Sequence, residues 1–306
     1  MAEHSAEAVS AAPPTAPVAG EQPLAGIAWM ALGVSTLPLM DAIAKHLSAE
    51  YHVLQVTWAR YGFHLLLLLV LLAWRARPAE LVPRHPGLQV LRSGFLLGTT
   101  LCYFGAISYL PLANVLALAF IGPVAATALA ALVLGEHVGP RRWTAVLVGF
   151  AGALIVIRPG FGVFHPASLL ALGAGLFYGA YLVATRRLSG SGRPAVTLLY
   201  TAVLGVGVLT LVLPWAWRTP APAAWAWMAA MGLFGALAHF FIIRAFEHAP
   251  APVLAPVSYV EIIAAATIGW LAFGDFPDRW TWLGVAVIVI SGIYISLREG
   301  RGRARR

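Results

Sequence analysis

The chain alternates long apolar stretches with short clusters of charge, proline and glycine. Ten stretches stand out: Leu24–Leu47, Val53–Trp74, Leu88–Leu110, Ala113–Leu134, Trp143–Ile157, Ala167–Arg187, Ala195–Trp217, Ala223–Phe246, Pro252–Phe273 and Trp280–Leu297. A helix rising about 1.5 Å per residue needs about 20 residues to cross a hydrocarbon core about 30 Å thick. Each stretch therefore predicts a transmembrane helix. The fifth is the shortest and borrows from Gly139–Arg142, whose arginines can snorkel to the interface. Between Ser93 and Gly135 there is no Asp, Glu, Lys, Arg or His, enough uncharged chain for two crossings. The expected fold class is an all-α polytopic membrane protein of ten transmembrane helices. Met1–Gln22, rich in Ala, Pro and Glu and free of Lys and Arg, lacks the basic start of a signal peptide and reads as a disordered tail over residues 1–23.

Composition narrows the class further. Of 306 residues, 60% are hydrophobic and 10% charged, against about 25% charged in soluble domains. No sizeable water-soluble domain fits between the spans. A net charge of +8 raises nucleic acid as a partner, but the basic residues form short clusters between apolar runs with no aromatic-interleaved groove, so none is expected. Topology accounts for them instead. Alternate loops hold fifteen Lys and Arg on one side of the membrane and four on the other (Lys45, Arg158, Arg218 and Arg279), with Arg60 inside the second span. Retention of basic loops in the cytoplasm places both termini there, including the basic tail 299–306. Trp215, Trp217, Trp225 and Trp227 gather around one outer loop as an interfacial belt. Cys102, the single cysteine, lies in an apolar run, so neither an intrachain disulfide nor a metal-ligand spacing exists, and no cofactor is expected.

The chain also repeats. At one offset Ala106, Pro111, Gly135, Glu136 and Trp143 fall on Ala245, Pro250, Gly274, Asp275 and Trp282. Near the start of each half, Ala44–Leu47 (AKHL) matches Thr185–Leu188 (TRRL) at an offset two residues longer. Two halves, 24–160 and 161–298, thus hold five spans each. An odd number of spans sets the halves in opposite orientations, an arrangement characteristic of secondary transporters with a midplane site.

Tyr109–Gly160, through GPVAATALAALVLGEHVGPRRW, resembles the first-repeat pattern of the EamA family of drug/metabolite transporters. Ala245–Ile295, through YVEIIAAATIGWLAFGDFPDRW, is similar to the second. The resemblance covers nearly the whole chain after the tail. It implies a ten-helix bacterial inner-membrane metabolite transporter without fixing the substrate, which across the superfamily ranges over amino acids, nucleotide sugars and S-adenosylmethionine. Tyr259–Glu261 (YVE) and Asp41–Lys45 (DAIAK) resemble the S-adenosylmethionine uptake subgroup.

Ionisable residues inside a span cost about 2.5–3.5 kcal/mol each on insertion scales, so each is a functional candidate. Glu261 lies mid-span in the ninth stretch and is expected to line a cavity, binding a cationic group or exchanging a proton; the competing reading is a protonated packing group. Asp41 and Lys45, at i and i+4 of the first span, can neutralise each other near its outer end. Arg60 has only Tyr200 and Thr201 near its counterpart position, and is expected to pair with Asp41 or to hold a substrate carboxylate. His239 is a proton-relay candidate one turn from Gly235, while Arg244 and Glu247 read as a local i, i+3 pair. Tyr103, Asn114, Tyr178, Tyr181 and Tyr259 can supply aromatic and hydrogen-bonding surface to a ligand, and Gly175 with Gly179 reads as a close helix contact. Pro111 and Pro123, and Pro250, Pro252 and Pro256, are expected to bend the starts of the fourth and ninth spans.

Enzyme motifs (HExxH, G-x-S-x-G, facing Asp pairs) and a Walker A sequence are absent from the chain, which disfavours an intramembrane enzyme and direct ATP coupling. A non-transporting receptor or structural protein would have no reason for the inverted repeat. The expected partners are a small polar or amphipathic substrate and the lipid bilayer, with homodimerisation left open.

Overall fold

The computed structural model describes residues 23–73, 83, 85–134, 140–158, 164–188, 194–249, 251–254 and 256–303. The expected N-terminal tail lies outside the described residues, apart from its last position, Pro23, which already begins the first helix. The helices are α1 (Pro23–Ser48), α2 (Val53–Ala73), α3 (Pro86–Ile107), α4 (Leu112–Ala119), α5 (Gly122–Leu134) and α6 (Pro140–Ile157). They continue as α7 (Ala167–Arg187), α8 (Pro194–Val212), α9 (Pro222–His248), α10 (Ala251–Leu254), α11 (Val260–Phe273) and α12 (Arg279–Arg303). Among the described residues there is no strand. Seven helical stretches are long and apolar enough to span a membrane, and Trp143–Ile157, Val257–Phe273 and Arg279–Tyr294 are shorter apolar helices. The chain is thus an all-α polytopic membrane protein whose ten apolar segments match the ten stretches read from sequence. The largest boundary difference is at the last helix: α12 continues to Arg303, so much of the stretch expected as a basic tail is helical.

Two of the ten are discontinuous. The fourth is α4 and α5, parted at Phe120–Ile121, just before Gly122-Pro123. The ninth is α10, a 3₁₀ turn over Val257–Tyr259 and then α11, parted around Pro256. Proline supplies no backbone N–H and crowds the preceding turn, so the ladder cannot run through either place. The interruption of the fourth span falls in its middle and not at its start, where Pro111 serves only as the N-cap residue of α4. Phe120 and Tyr259 are counterparts in the repeat, and their rings meet with centroids 5.1 Å apart.

Packing follows the repeat. α1 lies on α9 as α3 lies on α7; α2 meets α9 as α8 meets α3; α5 meets α7 as α11 meets α1. The contacts α2–α8, α4–α11 and α6–α12 each join a segment to its own counterpart. Exchanging the halves therefore reproduces the most extensive of the contacts, as an internal two-fold requires. The α5–α7 crossing uses the expected glycines: a Cβ on Gly179 would lie 2.9 Å from the Gly122 carbonyl oxygen and from the Ala126 nitrogen. Phe104, Ile107, Leu112, Leu118, Met228 and Met231 are fully buried between the halves, while Leu66, Leu132, Leu211 and Leu271 point outward as lipid-facing positions should.

Candidate functional site

Around the two interruptions, side chains that would be costly in hydrocarbon collect between the halves. Asp41 sits on α1 three residues after the internal Pro38 and is 4% exposed. The Tyr103 hydroxyl donates to its Oδ2 at 3.0 Å. Lys45, one turn further along, does not neutralise it as the spacing predicted. Its Nζ binds Asp275 Oδ2 at 2.7 Å and the Leu110 carbonyl at 3.0 Å, and lies 4.8 Å from the Phe273 ring centre. The cause is a helix cap. Gly274 takes φ +74°, with Gly274 N–H donating to Trp270 and Asp275 N–H to Gly269, which ends α11 and turns Asp275 toward α1.

Glu261 is not in the middle of an unbroken helix. It occupies the first turn of α11, directly after the 3₁₀ turn. There the helix N-terminus favours a carboxylate, and Asp41 lies within electrostatic reach of it. Among the described residues Glu261 has no ion-pair partner. Tyr103 lies within electrostatic reach of both Asp41 and Glu261. Asn114, on α4, has a buried Oδ1 without a hydrogen-bond partner. The Tyr259 hydroxyl packs on Gly292 of α12, where a Cβ would overlap it.

A second group is cationic. Arg60 forms no ion pair with Asp41, contrary to one of its two expected roles. NH1 donates to Thr100 Oγ1 at 2.7 Å and Nε to Met40 Sδ at 3.3 Å, while the guanidinium lies 5.7 Å from the Phe104 ring centre. Arg92, counted among the loop residues by charge, is 4% exposed inside α3. Its Nε donates to Thr185 at 2.8 Å, NH1 to Thr201 at 3.0 Å and NH2 to the Tyr181 hydroxyl at 2.6 Å. The signal was available, because Arg92 falls within the predicted third span. His239 faces His64 across α9 and α2 with ring centroids 5.8 Å apart, a pairing that the sequence reading missed because it passed over His64. Both arginines lie within electrostatic reach of His239. Tyr178 and Tyr181 stack at 5.6 Å on α7, and Tyr178 lies within electrostatic reach of Glu261 and Arg92 alike.

Arg244 and Glu247 form the expected local pair, at 2.6 Å and exposed, away from this centre. Among the described residues no three His, Cys, Asp or Glu side chains gather as a metal site would require. Chemically, the centre offers the Asp41 and Glu261 carboxylates, the Arg60 and Arg92 guanidinium groups, and tyrosine hydroxyls and ring faces, with Asp41 within electrostatic reach of Arg60.

The EamA-like transporter family matches residues 24–158 and again 165–298. The riboflavin transporter of Vibrio cholerae is 30% identical over 288 residues, 93% of this chain and 96% of that protein. The S-adenosylmethionine uptake transporter of Rickettsia prowazekii is 26% identical over 285 residues, covering 92% and 96%. The pseudopaline exporter of Pseudomonas aeruginosa is 29% identical over 275 residues, covering 89% and 95%. A solved structure superposes with a TM-score of 0.61 at 18% identity over 91% of this chain and 98% of its own, a likeness of fold alone.

Proposed function

The chain belongs to the EamA-like transporter family in both of its halves, and from that membership we propose a secondary transporter that moves a small polar or amphipathic metabolite by alternating access. The two units are the repeats 24–160 and 161–298, rocking about the Phe120–Tyr259 contact. The protein sits in a bacterial inner membrane with both termini in the cytoplasm, the orientation favoured by the fourteen-to-four division of basic residues that remains once the buried Arg92 is set aside. Amino acids and S-adenosylmethionine are the leading substrates: a carboxylate pair suits a cationic group, and stacked tyrosines suit a flat or apolar part. Coupling is by protons or by exchange, through Asp41 and Glu261.

The observation that carries this reading is the break in the ninth span, which sets Glu261 at the start of a half-helix within electrostatic reach of Asp41. A carboxylate inside a membrane span without a cationic partner is retained where a cargo or a proton neutralises it. The test is uptake into proteoliposomes of radiolabelled amino acids and S-adenosylmethionine, with and without an imposed pH gradient. Wild-type protein accumulates one of them, and Glu261→Gln loses at least tenfold in rate together with any response to the gradient. Uptake by Glu261→Gln at the wild-type rate and pH response removes Glu261 from the mechanism.

A further inference from the structure

Arg60 and Arg92 are the least explained groups in the molecule. Arg92 is 4% exposed, and its three hydrogen bonds all end on neutral hydroxyls, those of Thr185, Thr201 and Tyr181. Arg60 donates to Thr100 and to a thioether sulfur and lies against the Tyr61 and Phe104 rings, all of them neutral groups. Among the described residues neither has a carboxylate at ion-pair distance. A guanidinium carries five N–H donors, so these bonds leave capacity in both. Neutral hydroxyls solvate a cation without cancelling its charge, and a membrane interior makes an uncancelled charge expensive.

Folding does not explain the pair. At the repeat offsets, Arg60 corresponds to Thr201 and Arg92 to Met231, so the other half builds the same scaffold without either charge. The two arginines converge instead on one place. Arg60 is held by Thr100 of α3, Arg92 projects from the same helix about two turns away, and His239 senses both. Asp41 lies within electrostatic reach of Arg60, and Tyr178 within reach of both Glu261 and Arg92.

We propose that Arg60 and Arg92 form the carboxylate-binding pole of the substrate site, so that the cargo is a zwitterion whose cationic group faces Asp41 and Glu261. Bound cargo then supplies the missing counter-charge to both poles at once. The Tyr181 hydroxyl, which accepts from Arg92, keeps its own proton to donate to the same carboxylate. This rests on the transporter reading and adds the class of substrate to it.

The test uses matched probes on the purified full chain in detergent, read as ligand-induced thermal stabilisation: S-adenosylmethionine against its decarboxylated form, methionine against 3-(methylthio)propylamine, and phenylalanine against phenethylamine. In wild-type protein the carboxylate member of at least one pair binds tenfold or more tighter than its decarboxylated partner, about the loss expected when a charged hydrogen-bonding group goes unmatched. Arg92→Gln abolishes that preference while weakening the amine little. Arg60→Gln, which leaves Arg92 and its three hydroxyls in place, lowers the preference independently, so a folding failure of one variant does not decide the matter. Equal binding of both members in wild-type protein overturns the arginine pole and leaves the transporter reading standing. Retention of the tenfold preference in both variants does the same. A wild-type protein that responds to neither member of any pair overturns both.

Discussion

Removing the charge of Asp275 is expected to loosen one face of the transporter. Lys45 Nζ lies 2.7 Å from Asp275 Oδ2 and 3.0 Å from the Leu110 carbonyl, and the two side chains are 15% and 31% exposed. Fully exposed pairs contribute about 0–1 kcal/mol, and breaking a buried pair costs about 3–5 kcal/mol. An intermediate burial gives about 2 kcal/mol for Asp275→Asn, because Lys45 keeps the Leu110 carbonyl and the Phe273 ring, 4.8 Å away. The pair ties α1 of the first half to the end of α11 in the second, so under alternating access that energy holds this face shut. A change of about 2 kcal/mol corresponds to about a 30-fold rise in the open population. The assay is thiol labelling in a Cys102→Ser background with Asn114→Cys, one turn beyond Leu110 on α4, where the native Oδ1 is buried. A membrane-impermeant maleimide added from the Lys45 side labels Asp275→Asn at least tenfold faster, whereas Asp275→Glu, which keeps the charge, labels near the wild-type rate. Equal labelling of all three refutes the latch.

Three further outcomes follow from individual contacts. Tyr103→Phe removes the hydroxyl that donates to Asp41 and should cost about 1–3 kcal/mol in substrate affinity or transport rate, read as a roughly 5- to 150-fold fall in proteoliposome uptake; an unchanged rate detaches Asp41 from the site. Gly179→Leu drives a side chain into backbone atoms only 2.9 Å from the new Cβ and should leave no monodisperse folded protein on size exclusion, whereas Gly207→Leu, with nothing within 4 Å, should behave as wild type. At the α11–α12 loop, burial would raise the Asp278 carboxyl, but hydrogen bonds from the Thr281 amide and Arg158 outweigh it and hold the carboxyl below its usual value of 3.8. A depressed folded value means stability present above the unfolded pKa and lost as pH falls through the lower folded one. Asp278→Asn should therefore melt at a lower temperature than wild type at pH 7 and lose that difference as the pH falls through the lowered folded pKa; a constant gap at all pH values would show that the charge is not what stabilises the loop.

The spans were legible because a bilayer imposes one length and one polarity on each crossing, and Ala167–Arg187 is identical in both readings. Hydropathy alone does not show the interruptions of the fourth and ninth, because the segments on both sides of Phe120 and of Pro256 are apolar, but Pro256 marked the one in the ninth. The prolines were visible, but in the fourth span the break falls at the Gly122-Pro123 step and not at Pro111. Local spacing also misassigned partners. Lys45 has Asp41 one turn before it, yet its partner lies 230 residues away, brought in by the left-handed turn at Gly274. Arg92 was lost to loop counting, since a basic residue near a span end satisfies the orientation rule without further thought, and only its burial against Thr185, Thr201 and Tyr181 reveals the difference.

The repeat itself sorts the charges into two kinds. Lys45 and Asp275 have charged counterparts in the other half, Arg186 and Glu136, at the two offsets found by sequence. The central charges do not: Asp41 falls on Leu182, Arg60 on Thr201, Arg92 on Met231 and Glu261 on Gly122. An inverted repeat opens to opposite faces by exchanging the conformations of its halves, so a latch useful on one face is useful on the other and is kept twice. A substrate has no such symmetry. It lies across the axis in one orientation, and the groups that hold it need appear only once. Variants of the first kind are thus expected to alter how fast the faces open without altering which solute is carried, while variants of the second kind alter the choice of solute. A charge that is repeated and still sets substrate preference would break this division.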